Sequence, residues 1–291
     1  MSDFITRFAP SPTGQLHLGH AFSALTVFEA ARMAGGRFLL RIEDIDTIRC
    51  RAEFENDIFE DLKWLGLEWE KPVRRQSEHF NEYYAAIENL ASRGLVYRCF
   101  KTRKEVMDEI GRAPHHPGEG PDGIIYPGPP EPMSAEEEAA RMAAGNPFAW
   151  RLSMKAVEGE LGDLTRLTFA EIGAGPNGET GECAIRSDFI GDVILARKDI
   201  GTSYHIAVTL DDALQEISHV IRGQDLFFAT SIHRILQELL GLPVPIYQHH
   251  ELITGEDGER YTKRHKSETL TSIRASDAKA ADIRKQFGVN W

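Results

Sequence analysis

A chain of 291 residues with 42% hydrophobic and 27% charged residues can bury the core of one large α/β domain with an insertion, or of two modest domains. Its formal charge of −12 argues against a surface built broadly for nucleic acid, although a local basic groove can sit on an acidic body. No apolar stretch approaches the ~20 residues of a membrane span, the N-terminus lacks signal-peptide character, and Cys50, Cys99 and Cys183 are scattered and odd in number, so the expectation is a cytoplasmic protein with no membrane partner and no disulfide framework.

In chain order, residues 4–8 read as a strand that runs into the turn Ala9-Pro10-Ser11-Pro12-Thr13-Gly14. A helix begins near Gly19, carries Phe22, Leu25 and Phe28 at helical spacing, and stops at Gly35-Gly36. Residues 37–42 read as a buried strand. Phe54, Ile58, Leu62 and Leu65 mark an amphipathic helix closed by Gly66, and Ser77 is the predicted cap of another, with Phe80, Tyr84, Ile87 and Leu90 inward and Gly94 at its end. This alternation predicts an α/β fold with a doubly wound parallel sheet, whose first half covers 1–95. Residues 96–188 interrupt it: 113–132 are rich in Pro, Gly and His, Ser134 opens a helix reaching about Ala144, and 171–182 form a glycine-rich loop. The second half of the sheet is expected over 189–250, with strands at 191–197, 204–210 and 217–222, a helix from Asp225 to Gly241, and a strand over 246–252. A turn at Asp257-Gly258, a basic loop and a weakly helical polar segment occupy 251–291.

Two constellations suggest chemistry. His17-Leu18-Gly19-His20 lies where the first loop meets the first helix, a position whose free N–H groups and helix dipole favour an anion. Gly19 leaves room for a phosphate, and the two histidines can hydrogen-bond the phosphates of ATP. Lys263-Arg264-His265-Lys266-Ser267 follows the late turn, and Lys263 and Lys266 can neutralise a leaving pyrophosphate. Either element alone fits a solvated surface; together they form a clamp for adenylation.

The segment Arg7-Phe8-Ala9-Pro10-Ser11-Pro12-Thr13-Gly14 with His17 to His20 resembles the HIGH region of glutamyl-tRNA synthetases. Arg41-Ile42-Glu43-Asp44-Ile45-Asp46 and Ile221-Arg222-Gly223-Gln224-Asp225 resemble later motifs of the same family, and Lys263 to Ser267 stands where its members carry KMSKS. The resemblance runs in family order along nearly the whole chain. It implies a Rossmann-type class I catalytic domain, an acceptor-type subdomain at 96–188, and a stem-contact-like segment after the KMSKS-like loop. It also implies a glutamate pocket of Arg7, Ala9, Ser11, Glu43, Tyr204 and Arg222, in which Glu43 takes the α-ammonium, the two arginines take carboxylates, and Ser11 and Tyr204 add hydrogen bonds. ATP would meet His17, Gly19, His20 and Lys266, with Mg2+ accompanying it.

The sequence departs from the full-length family in two places. It ends at Trp291, soon after Ser267, and so resembles the shortened subfamily that glutamylates queuosine in the anticodon loop of tRNA(Asp). Many members of that subfamily hold zinc through Cys-x-Cys and a downstream Tyr-x3-Cys, whereas this chain has Cys99-Phe100-Lys101 and Tyr126-Pro127-Gly128-Pro129-Pro130. One thiolate is too few for a tetrahedral site, so no structural zinc is expected, with His115 and His116 the only stand-ins. The expected partners are L-glutamate, ATP and a queuosine-bearing tRNA(Asp). The competing readings are a truncated glutamyl-tRNA synthetase charging the 3′-terminal adenosine, and a small-molecule adenylyltransferase with no RNA partner. RNA contacts are expected at the basic residues around Arg98 to Lys104, the Lys263 to Lys266 loop, and Arg274, Lys279, Arg284 and Lys285.

Overall fold

The computed structural model describes residues 4–112, 118–121, 123–197, 201–253, 268–276 and 278–289. Its first half comprises β1 (Ile5–Phe8), α1 (Leu18–Met33), β2 (Arg37–Ile42), α2 (Ala52–Trp64), β3 (Arg74–Arg75) and α3 (Phe80–Ser92). The middle holds β4 (Val96–Cys99), α4 (Arg103–Arg112), β5 (Glu119–Gly120), β6 (Gly123–Ile124), α5 (Ala135–Ala143), β7 (Ala149–Leu152), α6 (Met154–Leu161), β8 (Thr168–Glu171), β9 (Gly181–Ala184) and β10 (Ile194–Arg197). Then come α7 (Tyr204–Leu214), β11 (His219–Gly223), α8 (Ala229–Leu240), β12 (Ile246–His250), α9 (Leu270–Ala275) and α10 (Ala280–Gln286).

β1 pairs parallel with β2, and β2 with β3; β11 pairs parallel with β12. The two groups meet where Ser218 N donates to the Ile5 carbonyl at 3.0 Å and Ile5 N donates to Ser218 Oγ at 2.8 Å. β1 and β11 therefore lie side by side although α1 to α7 separate them in sequence. The chain winds outward from β1 in one direction and returns on its other side, which makes the C-terminal ends of β1 and β11 a topological switch point.

Strand alternation confirms helices on both faces. Leu39 and Val220 join a core with Ile87 of α3, Ile206 of α7 and Ile232 of α8. Their neighbours Phe38, Leu40 and Ile221 join the opposite core with Leu25 of α1, Leu62 of α2, Leu270 of α9 and Ile283 of α10. Leu25, Leu62, Ile87 and Ile232 are fully buried, and truncating any one to alanine would cost about 2–5 kcal/mol. The end of α1 is set by Gly35, whose φ of 61° suits the turn that sends the chain into β2.

An antiparallel sheet ordered β10-β7-β4 stands apart from the parallel one. β10 falls after residue 188 yet pairs with β7, while β8, inside the 96–188 segment, pairs with β12 and carries β9 antiparallel on its other side.

Three local expectations are corrected. Residues 204–210 form the start of helix α7 rather than a strand. Ile206, Val208 and Thr209 favour a strand locally, but His205 to Thr209 are all buried, so the helix shows no polar face to betray its period. Ser77 does not cap α3; it sits in a 3-10 turn and donates from N and Oγ to the Asp44 carboxylate at 2.8 and 2.5 Å. On α3 the inward ring is Tyr83, fully buried, while Tyr84 is exposed.

Candidate active site

A cavity of about 510 Å³ opens at the switch point. Its lining comes from the segment after β1 (Ala9, Pro10, Ser11), the start of α1 (His17, Gly19, His20), the residue after β2 (Glu43), the start of α7 (Tyr204), the end of β11 (Arg222, Gly223) and the segment from His250 to Ile253. Arg7, on β1, completes it. The structure thus brings together every described residue that the sequence marked for glutamate and ATP. Lys263, Lys266, His115 and His116 lie outside the described residues.

The start of α1 is capped by its own histidines. His17, in extended conformation, accepts the Gly19 N–H on Nδ1 at 3.1 Å, and His20 Nδ1 accepts the His17 N–H at 3.2 Å. Both Nδ1 atoms are acceptors, so in the neutral rings each proton sits on Nε2, which becomes a donor suited to phosphate oxygens. No acidic residue of α1 occupies its first turn, so the helix itself places no negative charge at this end of its dipole.

The two arginines of the pocket are held differently. Arg7 makes a bidentate pair with Asp212, Nε to Oδ1 at 2.8 Å and Nη2 to Oδ2 at 3.1 Å, leaving Nη1 outside the pairing. The same Asp212 receives Arg41 Nη1 at 2.7 Å, and Arg41, with no exposed surface, also reaches Glu43 at 3.1 Å. Burial opposes the charge on Asp212, but Arg7 and Arg41 outweigh it and keep this carboxyl below its ordinary value. For Glu43 the balance is reversed: burial pushes its carboxyl up despite Arg41 and Arg7. A ligand ammonium would relieve that cost.

Arg222 is surrounded by neutral groups. It donates to Thr230 Oγ1 at 2.7 Å, His249 Nε2 at 3.1 Å and Tyr204 OH at 3.3 Å, and His233 Nδ1 lies 3.3 Å from Nη1. Burial and Arg222 hold His233 well below its ordinary pKa, so the ring beside the guanidinium is uncharged. Among the described residues no carboxylate makes an ion pair with Arg222. Arg222 is thus a buried cation, and it lines the same cavity as the acidic Glu43.

Sequence reasoning missed Asp212, Arg41, Thr230, His233 and His249. The signals available were Arg41, at the head of the family-like segment Arg41 to Asp46, and Asp211-Asp212 within an apolar run, seven and eight residues after Tyr204.

Comparison with known proteins agrees with this geometry. Residues 3–287 match the family of class I tRNA synthetases (E and Q), catalytic domain. The chain belongs to that family. It is 47% identical to the Glutamyl-Q tRNA(Asp) synthetase of Rhodobacter capsulatus over 98% of its own length and 100% of the relative's, and 38% identical to the protein of that name from Symbiobacterium thermophilum, over 93% and 81%. Among solved structures, the glutamate-tRNA synthetase of Elizabethkingia anophelis superposes with a TM-score of 0.72 at 28% identity, covering 90% of this chain and 53% of that one. The chain spans about half the length of that longer synthetase. It is a class I ligase that uses ATP.

Three of the basic residues expected to contact RNA are paired with acids in this synthetase. Arg98 bonds Glu138, Lys101 bonds Glu109 at 2.5 Å, and Arg274 bonds Asp61 and Glu60 at 3.0 and 2.9 Å. Around the position of the subfamily's zinc, Cys99 is buried and Tyr126 OH donates to Glu109 at 3.0 Å. The described residues there offer one cysteine sulfur and a phenol committed to a carboxylate, which does not suit a tetrahedral zinc. No helix of the described residues is long and apolar enough to cross a membrane.

Proposed function

We propose that this synthetase activates L-glutamate with ATP to glutamyl-adenylate and transfers the glutamyl group to queuosine in the anticodon loop of tRNA(Asp), in the cytoplasm where its RNA substrate resides. The observation that carries the amino-acid choice is Arg222, a buried cation without a carboxylate partner among the described residues, sharing one cavity with Glu43. Glutamate supplies the matching charges: its ammonium goes to Glu43, and carboxylates go to Arg222 and to the unused Nη1 of Arg7, with Ser11, Tyr204 and the Ala9 backbone completing the pocket. The 47% identity to a protein named for the glutamyl-Q product supports the acceptor.

In this reading the α-carboxylate oxygen attacks the α-phosphorus of ATP, pyrophosphate leaves, and a hydroxyl of queuosine then attacks the acyl carbon and expels AMP. His17 and His20 donate from Nε2 to the phosphates, Gly19 admits them to the helix start, and Lys263 and Lys266 neutralise the pyrophosphate. Mg2+ would enter with the nucleotide phosphates and offset their charge.

The test is charging with labelled glutamate of tRNA(Asp) with and without queuosine, and of the isolated anticodon stem-loop, followed by mapping of the labelled nucleotide. Label on queuosine in both the intact RNA and the stem-loop is expected, with unmodified guanine inert and with glutamate activation proceeding without RNA. Label at the 3′-terminal adenosine of tRNA(Glu), with the stem-loop inert, would overturn the acceptor assignment.

A further inference from the structure

Behind Arg222 lies a pair of side chains that neither the motifs nor the cavity lining includes. His249, on β12, and Glu171, at the end of β8, are 2% and 1% exposed. Glu171 Oε2 lies 2.5 Å from His249 Nδ1, while its Oε1 accepts the backbone N–H of His249 at 2.9 Å and of Gly173 at 2.8 Å. Position 173 has no room for a side chain: a Cβ there would lie 2.4 Å from the His249 carbonyl oxygen and 3.0 Å from Glu171 Oε1. On its other edge His249 Nε2 meets Arg222 Nε at 3.1 Å.

Chemistry sets the direction of every bond in this chain of contacts. A guanidinium and a backbone N–H can only donate, and an ionised carboxylate can only accept. The imidazole between them must therefore donate from Nδ1 and accept on Nε2, which is the neutral ring with its proton on Nδ1. Burial, helped by the neighbouring Arg222 charge, holds this imidazole below its ordinary pKa despite its bond to Glu171, in keeping with a neutral ring.

We infer that Glu171 and His249 are positioning residues for amino-acid recognition, a one-way relay that fixes the Arg222 guanidinium while leaving its charge open to a ligand carboxylate. A carboxylate placed directly on Arg222 would neutralise it and compete with the ligand; one imidazole away, Glu171 offsets the buried positive charge and leaves Nη1 and Nη2 uncontested by an acid. Because Glu171 belongs to the β8–β9 hairpin, the relay ties that hairpin to the amino-acid pocket. The inference rests on the reading of the pocket as a glutamate site.

Glu171→Gln tests the polarity with minimal change of shape. If the new amide offers its oxygen to His249 Nδ1, its NH2 faces two backbone N–H groups. If it turns over, its NH2 faces Nδ1 and forces the imidazole proton onto Nε2, against Arg222 Nε–H. Either way a donor meets a donor. His249→Gln can reproduce the native polarity, NH2 toward Glu171 and oxygen toward Arg222, whereas His249→Phe cannot. In ATP–pyrophosphate exchange, E171Q and H249F should raise the KM for glutamate by roughly tenfold or more, the scale of a buried hydrogen bond reversed, with the KM for ATP within about twofold of wild type and H249Q retaining most of the glutamate affinity. A glutamate KM unchanged in E171Q, equal rises in both KM values, or H249Q no better than H249F would overturn the relay. Should E171Q not give folded protein by circular dichroism, the H249Q and H249F comparison decides. Absence of glutamate-dependent exchange in the wild type would instead overturn the glutamate reading itself.

Discussion

Asp212 accepts both Nε and Nη2 of Arg7, at 2.8 and 3.1 Å, across 205 positions of sequence. This bidentate contact spends most of Arg7 on the fold and makes Arg222 the less committed cation of the pocket. Asp212 also holds Arg41, which is fully buried.

Asp212→Asn should therefore destabilise the protein by about 3 kcal/mol or more, because Arg41 would be left buried with too little negative charge around it. The pH dependence follows from the carboxyl's lowered folded-state pKa. Its stabilisation is complete above the ordinary aspartate value of 3.8 and is lost as pH falls through the lower folded value. Thermal or urea unfolding as a function of pH checks this; an unchanged melting temperature in the variant would refute it.

Glu43 behaves oppositely in the free enzyme, since burial pushes its carboxyl above the ordinary value of 4.5. Only the ionised form can pair with an ammonium, so kcat/KM for glutamate should decline on the acid side with a midpoint above 4.5. Glu43→Gln should remove that limb and weaken glutamate binding by about 3 kcal/mol. Calorimetry showing unaltered affinity would remove Glu43 from the ammonium site.

Lys266→Ala should lower glutamate-dependent ATP–pyrophosphate exchange by roughly two orders of magnitude, the usual loss when a charge partner of the transition state is deleted. Glutamate affinity, measured separately, should change little. Near-normal exchange would dismiss the lysine loop as the pyrophosphate clamp.

Elemental analysis of the purified protein should find no stoichiometric zinc, and chelators should leave its melting temperature unchanged. The motivation is the single cysteine, Cys99, in the region of Tyr126, whose hydroxyl is already bonded to Glu109. One zinc per chain would contradict this and direct attention to His115 and His116.

By itself the sequence determined β1, α1, β2, α2 and α3 of the first half, though not the short β3, and it marked residues that the fold brings to one cavity. Arg7, Ser11, His17, Gly19, His20, Glu43 and Arg222 each sit within or just beyond a short, strongly patterned segment, at the strand ends and helix start that converge at a switch point. Local signals suffice there because the turn that exposes a functional residue is written in adjacent glycines and prolines. They failed for α7, where the burial of five consecutive residues, His205 to Thr209, erased the contrast between faces, and for Ser77, whose hydroxyl was drawn to Asp44 instead of a helix end. Only the tertiary structure decided which arginine is already neutralised and which is caged by neutral donors and acceptors. Charge pairing and hydrogen-bond polarity join residues such as Arg7 with Asp212, or Glu171 with His249, that are far apart in sequence. No periodicity links such partners, and their energies depend on distances and burial that exist only once the chain has folded.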